Sequence, residues 1–292
     1  MNLDPEYECV EARDQLRAQE PCLGAVDTIV SGNRYDQDGQ GSCEDIGSNL
    51  LRHFAKNDRI KIAYDAHVER IVMDNDGSVK GVQLSDGNEI RASSVIVCAG
   101  ASSSEIAMTA GVYVPIQPLR GYSLTVPVLE KNSHLAVQDC VVVKPYQLYT
   151  TRTISENKDC VRFTCYGEMT PVKDCMDTPT PGLFQQLEDL VRHVYKNDLD
   201  KYLNWKNRVK WMGCRPLSPD SSPYVETCAL TLKFYSNKIK QHAALRVVRA
   251  YPICTYVLVD PLTDGAPVFS VHVLQLLHTQ RIIISRSPRS GE

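Results

Sequence analysis

The sequence predicts a mixed α/β (α+β) chain: part of an open sheet layered with helices, joined to a second, largely antiparallel sheet with flanking helices. Three observations carry that expectation. SSVIVCAGASS (93–103) is an unbroken apolar run that stops at Ala-Gly-Ala and small hydroxyls, as a strand buried on both faces of a parallel sheet does. PIQPLRGYSLTVP (115–127) and QDCVVVKPYQLYTTRTISENKDCVRFTCYGEMTP (138–171) hold β-rich runs broken by polar turns. Two segments, 42–57 and 183–199, have helical apolar spacing.

In chain order, SCEDIGSNLLRHFAKN (42–57) sets Ser42 three residues before Asp45, a capping-box spacing, and places Ile46, Leu50 and Phe54 on one helical face. IKIAY (60–64), AHVERIVM (66–73) and SVKGVQL (78–84), punctuated at Asp-Asn-Asp-Gly (74–77) and Ser85-Asp86-Gly87, read as short strands joined by hairpins. In the next strand, Gly100 either makes a plain strand-to-loop turn or lets a ligand approach the backbone at the strand's carboxyl end. The SENKD segment (155–159) is a turn between β runs, and Leu183, Leu187, Leu190, Val191 and Val194 share one helix face. WKNRVKWMG (205–213) reads as an alternating strand bearing Trp205, Val209 and Trp211. Beyond Glu226 the apolar clusters have neither caps nor a consistent period, so strands there are assigned only loosely.

Composition narrows the function classes. The chain has 292 residues, enough for one large domain or two smaller ones, and its net charge of −3 gives no electrostatic reason for a nucleic-acid partner. From Lys238 onward seven Lys/Arg face three Asp/Glu, about +4, against about −7 for the first 237 residues. Eleven cysteines without one C-x-x-C pair, and no signal-peptide pattern, point to reduced thiols and an intracellular, cytoplasmic setting. Paired zinc ligands are absent from the sequence, and no apolar run has the length of a membrane span.

GCRPLSPDSSPYV (213–225) carries the candidate binding residue. Pro216 biases Arg215 toward an extended conformation beside a turn at Ser218-Pro219-Asp220. A guanidinium there is either a bidentate fork for a carboxylate, an ion pair with Asp220, or a solvated surface group. No side chain stands out as a catalytic acid or base.

Five ordered stretches resemble one family: LRAQEPCL (16–23), GNRYDQDGQGSCEDIGSNL (32–50), SVIVCAGASSSEI (94–106), VPIQPLRGYSLTVP (114–127) and GCRPLSPDSSPYV. They are similar to the FAD-dependent D-amino-acid dehydrogenases and related amine oxidases of the D-amino-acid oxidase and glycine oxidase group, over roughly residues 12–226. The resemblance implies a remnant of a Rossmann-like FAD-binding domain (1–112), an antiparallel substrate domain (113–212), a return to the FAD domain (213–237) and a divergent tail (238–292). It implies hydride transfer from the Cα of a D-amino acid to FAD, with Arg215 gripping the α-carboxylate. Val68 would meet the adenine through its backbone, and Cys98, Ala99, Gly100 and Ala101 would border the FAD phosphates and ribose. Tyr146 and Tyr149, expected on one strand, are either substrate-side hydroxyls or ordinary sheet aromatics.

The pattern departs from the family at both ends. No Gly-x-Gly-x-x-Gly turn and no Gly-His-Gly loop occur; DGQGSCEDIG (38–47) has the wrong final spacing, and NKIKQHAALRVV follows LKFYSN (232–237) where the loop belongs. The chain enters the family pattern after its first βαβ unit, which implies weak FAD binding or none unless a partner chain completes the site. The absent strand would leave its sheet neighbours with an open edge unless the tail or another chain covers it. A catalytically dead relative, kept as a ligand-binding or interaction module, is the alternative reading.

Overall fold

Hairpin turns and buried apolar faces set the architecture. A computed structural model of the 292-residue chain describes residues 8–10, 13–26, 32–34, 41–175, 178–220, 224–229, 244–248, 256–260 and 282–286. Their strands are β1 (Glu8–Val10), β2 (Gly32–Arg34), β3 (Ile60–Ala63), β4 (Val68–Met73), β5 (Val79–Leu84), β6 (Glu89–Arg91), β7 (Ser94–Cys98), β8 (Gln117–Pro127) and β9 (Val141–Val143). They continue as β10 (Leu148–Ser155), β11 (Lys158–Met169), β12 (Val209–Leu217), β13 (Val225–Ala229), β14 (Ala244–Val248), β15 (Tyr256–Asp260) and β16 (Ile282–Arg286). The α-helices are α1 (Arg13–Gln19), α2 (Cys43–Phe54), α3 (Ser103–Met108) and α4 (Leu183–Tyr195). The chain divides into a first unit of Met1–Ser42, Arg120–Met169 and Lys173–Gly213, and a second of Cys43–Leu119, Thr170–Val172 and Cys214–Glu292.

The first unit is built on a five-stranded sheet of order β12-β8-β11-β10-β9. β10 and β11 form an antiparallel hairpin, Tyr149 opposite Thr164 and Ser155 opposite Lys158. Glu156 and Asn157 close it with φ of +50° and +60°, the left-handed pair that a type I′ turn requires, so the SENKD expectation holds. Tyr122, Leu124, Val126, Leu148, Val161 and Phe163 are buried on one sheet face together with Leu187, Val191 and Val194 of α4. The helix face expected from sequence is therefore the packed one. Trp205 departs from its expected place on a strand. It sits in a 3-10 turn, Trp205–Asn207, where its buried indole stacks on Phe163 at 5.8 Å and lies under the Arg192 guanidinium at 4.7 Å. Core burial overrides the alternating spacing there.

Glu20 ties the N-terminal segment to this sheet. Its buried carboxylate accepts the backbone N–H groups of Gln138 at 3.0 Å and Asp139 at 2.7 Å. Burial nevertheless raises its pKa above the ordinary carboxylate range, outweighing the two N–H donors.

In the second unit β4, β5 and β6 form an antiparallel meander, and a six-stranded sheet runs β13-β14-β7-β15-β16-β3. β3 pairs with β16 instead of joining β4 in a hairpin, a correction to the local reading. β7 is the apolar run Ser94–Cys98, with Val95 and Val97 fully buried. It lies parallel to β14, Ile96 opposite Arg246, and antiparallel to β15, Ile96 opposite Leu258. Tail strands thus cover both of its edges. In α2 the buried residues are Gly47 and Leu51, whereas Ile46 is 47% exposed. The inward stripe is rotated from Ile46, Leu50 and Phe54.

One further sequence expectation changes. Cys175 and Cys214 are each disulfide-bonded, contrary to a uniformly reduced set; sequence spacing carries no information about such pairing. LKFYSN lies outside the described residues. No helix among the described residues is long and apolar enough to cross a membrane.

Candidate functional site

The residues expected to border a nucleotide lie together in the second unit. β7 ends at Cys98, and Gly100 turns the chain with φ +55°, a left-handed conformation that favours glycine, into the short turn Gly100–Ser102 and then α3. Cys98, Ala99 and Ala101 are buried. Val68, at the start of β4, shares a buried cluster with Ala99, Val95 and Val97. Thr109 fixes this layer: its hydroxyl donates to the Ile106 carbonyl at 2.6 Å and accepts the Ile71 N–H at 2.9 Å. Small side chains and a left-handed glycine leave backbone accessible in principle. They do not make a pyrophosphate cradle, which needs several N–H groups converging from a glycine-rich turn. The Ser102 N–H is spent on the Ala99 carbonyl at 3.1 Å, and antiparallel β15 pairs with β7 as far as Cys98. The residues present therefore do not fit the phosphates of FAD.

Arg215 lies on β12, an edge strand, exposed between the buried Cys214 and Pro216. Proline is tolerated there because an edge strand needs no N–H on its outer side. Among the described residues the Arg215 guanidinium has no hydrogen-bond or ion-pair partner, so the pairing with Asp220 is not formed. On the same strand Gly213 lies beneath the Trp211 indole; an added Cβ would overlap that ring.

Tyr146 and Tyr149 do not share a strand or a face. Pro145 and the left-handed Gln147 (φ +49°) break the extended run, placing Tyr146 in the 3-10 turn Lys144–Tyr146. Its hydroxyl lies 3.4 Å from His193 Nε2 on α4, and its carbonyl accepts the Cys165 thiol at 3.3 Å. Tyr149, 45% exposed, projects from the opposite sheet face beside Val142 and Thr164.

Sequence reasoning passed over two arginines. Arg120, buried, donates from Nε and Nη2 to Glu168 Oε2 at 3.0 and 2.8 Å, to the Asp174 and Thr178 carbonyls at 3.1 and 3.3 Å, and to Thr180 Oγ1 at 3.0 Å. Tyr122 and Thr180 donate to the same carboxylate at 2.8 and 2.6 Å. Every nitrogen of Arg120 is occupied, so this group fastens strands to the segment before α4 rather than meeting a ligand. Arg162 is different: half-buried on β11, it donates only from Nε, to Thr125 Oγ1 at 3.1 Å. The signal was present in the alternation, since Arg162 and Thr125 fall between apolar core positions, but polar positions of such strands ordinarily face solvent.

A family model described as DAO, FAD dependent oxidoreductase, matches residues 2–245, further at each end than the 12–226 of the sequence resemblance. The fold is similar to that of L-proline dehydrogenase from P. horikoshii, at 15% identity and a TM-score of 0.60, covering 85% of this chain and 60% of that one. It is similar to glycine oxidase from Geobacillus kaustophilus, at 17% identity and a TM-score of 0.61, covering 86% and 59%. L-amino acid deaminase from Proteus vulgaris aligns at 11% identity and a TM-score of 0.51, covering 85% and 56%. The chain thus spans about three fifths of the length of these structures.

Proposed function

Because the chain belongs to the FAD dependent oxidoreductase family, we propose that it acts on the CH–NH₂ group of amino acids, D-amino acids in particular, with Arg215 gripping the α-carboxylate. The observation that carries this reading is the exposed guanidinium on an edge strand, free of internal partners among the described residues. A carboxylate can enter that fork without displacing a protein group. Hydride chemistry belongs to the flavin, and the part assigned to this chain is to hold the amino acid. Since the β7 end does not fit the FAD phosphates, the reading includes a partner chain that completes the flavin site.

Absorbance spectroscopy tests it. A preparation whose flavin spectrum bleaches on adding D-alanine supports the oxidoreductase reading, and Arg215→Leu with unchanged D-alanine affinity overturns the clamp. The second reading, a ligand-binding module without catalysis, is favoured by the tail strands that flank β7 on both sides. A colourless chain that binds D-amino acids yet takes up no FAD, alone or from cell extract, selects it.

A further inference from the structure

The sheet of the first unit ends in a strand with one open edge. In the order β12-β8-β11-β10-β9, β12 has β8 on one side, and among the described residues no strand pairs with its other edge. A strand so placed keeps a row of backbone N–H and C=O groups without ladder partners. On its part in the first unit, residues 209–213, Val209 is 54% exposed and Trp211 40%, and Lys210 between them is exposed as well. Strand alternation sets Val209, Trp211 and Gly213 on one face. The Trp211 ring lies back over Gly213, where an added Cβ would overlap it, so the strand presents a low apolar surface beside its free edge.

The charge along this edge has one sign. In residues 201–213 every charged side chain is basic: Lys201, Lys206, Arg208 and Lys210. Arg208 is spent on Glu188 at 3.0 Å. Lys206 and Lys210 have no ion-pair partner among the described residues, and Lys210 Nζ lies 5.6 Å from the centre of the Phe184 ring. Pairing of β12 with β12 of a second copy would bring these lysines together, and opposed like charges disfavour that ladder. An extended acidic segment meets no such repulsion: its backbone completes the ladder and its carboxylates reach Lys206 and Lys210.

We infer that the outer edge of β12, over residues 209–213, docks an extended acidic segment of another protein as an added strand. The inference stands apart from the amino-acid reading above, since it uses neither Arg215 nor a flavin.

Fluorescence polarisation of the full chain with a fluorescein-labelled peptide alternating glutamate and valine tests it. The chain binds this peptide at least about tenfold more tightly than the lysine-valine counterpart, and added salt weakens the binding. N-methylation throughout the peptide removes its donors, keeps its charge and lowers affinity at least about tenfold. Trp211 emission shifts to the blue on binding; Trp211→Phe removes the shift. Lys206→Glu combined with Lys210→Glu, two changes at exposed positions, weakens binding about tenfold or more. No binding, equal affinity for the lysine peptide, indifference to N-methylation, or binding without the Trp211 shift overturns the inference. A blue shift of Trp211 with rising chain concentration and no peptide assigns the edge to a second copy, and overturns it too.

Discussion

Replacing either partner of the Arg120–Glu168 pair should cost stability unequally. The Arg120 side chain is 7% exposed and that of Glu168 31%, with 2.8 Å between Nη2 and Oε2. Removing the carboxylate charge in Glu168→Gln strands a cation away from water, with only two carbonyls, a hydroxyl and one amide oxygen to face. Breaking a fully buried pair costs about 3–5 kcal/mol, and the partial exposure of Glu168 lowers this to about 2–4 kcal/mol. Arg120→Met leaves Glu168 its hydrogen bonds from Thr180 and Tyr122 and its access to water, so its expected cost is about 1–3 kcal/mol. The double variant should cost less than the sum, because neither charge is then left alone. Urea unfolding followed by tryptophan fluorescence reads this directly, since both tryptophans, Trp205 and Trp211, belong to the first unit. Arg120→Met costing more than Glu168→Gln, or strict additivity, would refute the reasoning. The acid limb gives a second readout. The Thr180 hydroxyl, then Arg120 and Tyr122, hold the Glu168 carboxyl below its usual value of 4.5. Its contribution is complete above that value and is lost as pH falls through the depressed folded pKa, so Glu168→Gln should flatten stability against pH in the acid range.

Three more changes probe other parts of the fold. Glu20→Ala strips the acceptor from the Gln138 and Asp139 N–H groups and should cost about 1–3 kcal/mol by urea unfolding. Since burial raises the Glu20 pKa, its contribution is full below pH 4.5 and declines as pH rises through the folded value; the variant should lose that decline. Gly213→Ala should lift the Trp211 ring from the strand and red-shift its emission with little loss of stability, because a ring 40% exposed is free to swing. Gly81→Ala has no such escape: at φ +149° its Cβ would run into the Ile90 carbonyl and approach Arg91 Cα to 2.9 Å, so a loss of about 2 kcal/mol or more is expected from circular-dichroism unfolding.

The parts legible in sequence were those fixed by local rules. The Glu156-Asn157 turn follows from residues that tolerate left-handed backbone, and α4 follows from a spacing that packing then uses at Leu187, Val191 and Val194. What depended on distant chain was not legible. Trp205 was drawn into the core by Phe163, and β3 found its partner in β16, whereas the turn at Tyr146, set by its neighbours Pro145 and Gln147, was a local signal passed over. The candidate site divides the same way. Arg215 drew attention because a proline and a turn frame it, whereas the bond from Arg162 Nε to Thr125, 37 residues earlier, has no local signal.

The pairing of β7 with β14 and β15 also bears on how the molecule is made. The hairpin of β10 and β11 closes across a two-residue turn and can form as soon as it leaves the ribosome. Ile96 must wait for Leu258, about 160 residues later, and at roughly 5–20 residues per second that is a delay on the order of ten seconds. During translation the most apolar strand of the second unit is a nascent segment without its ladder partners, a natural client for a holding chaperone. Its sheet gains β16 only after residues 282–286 have been made.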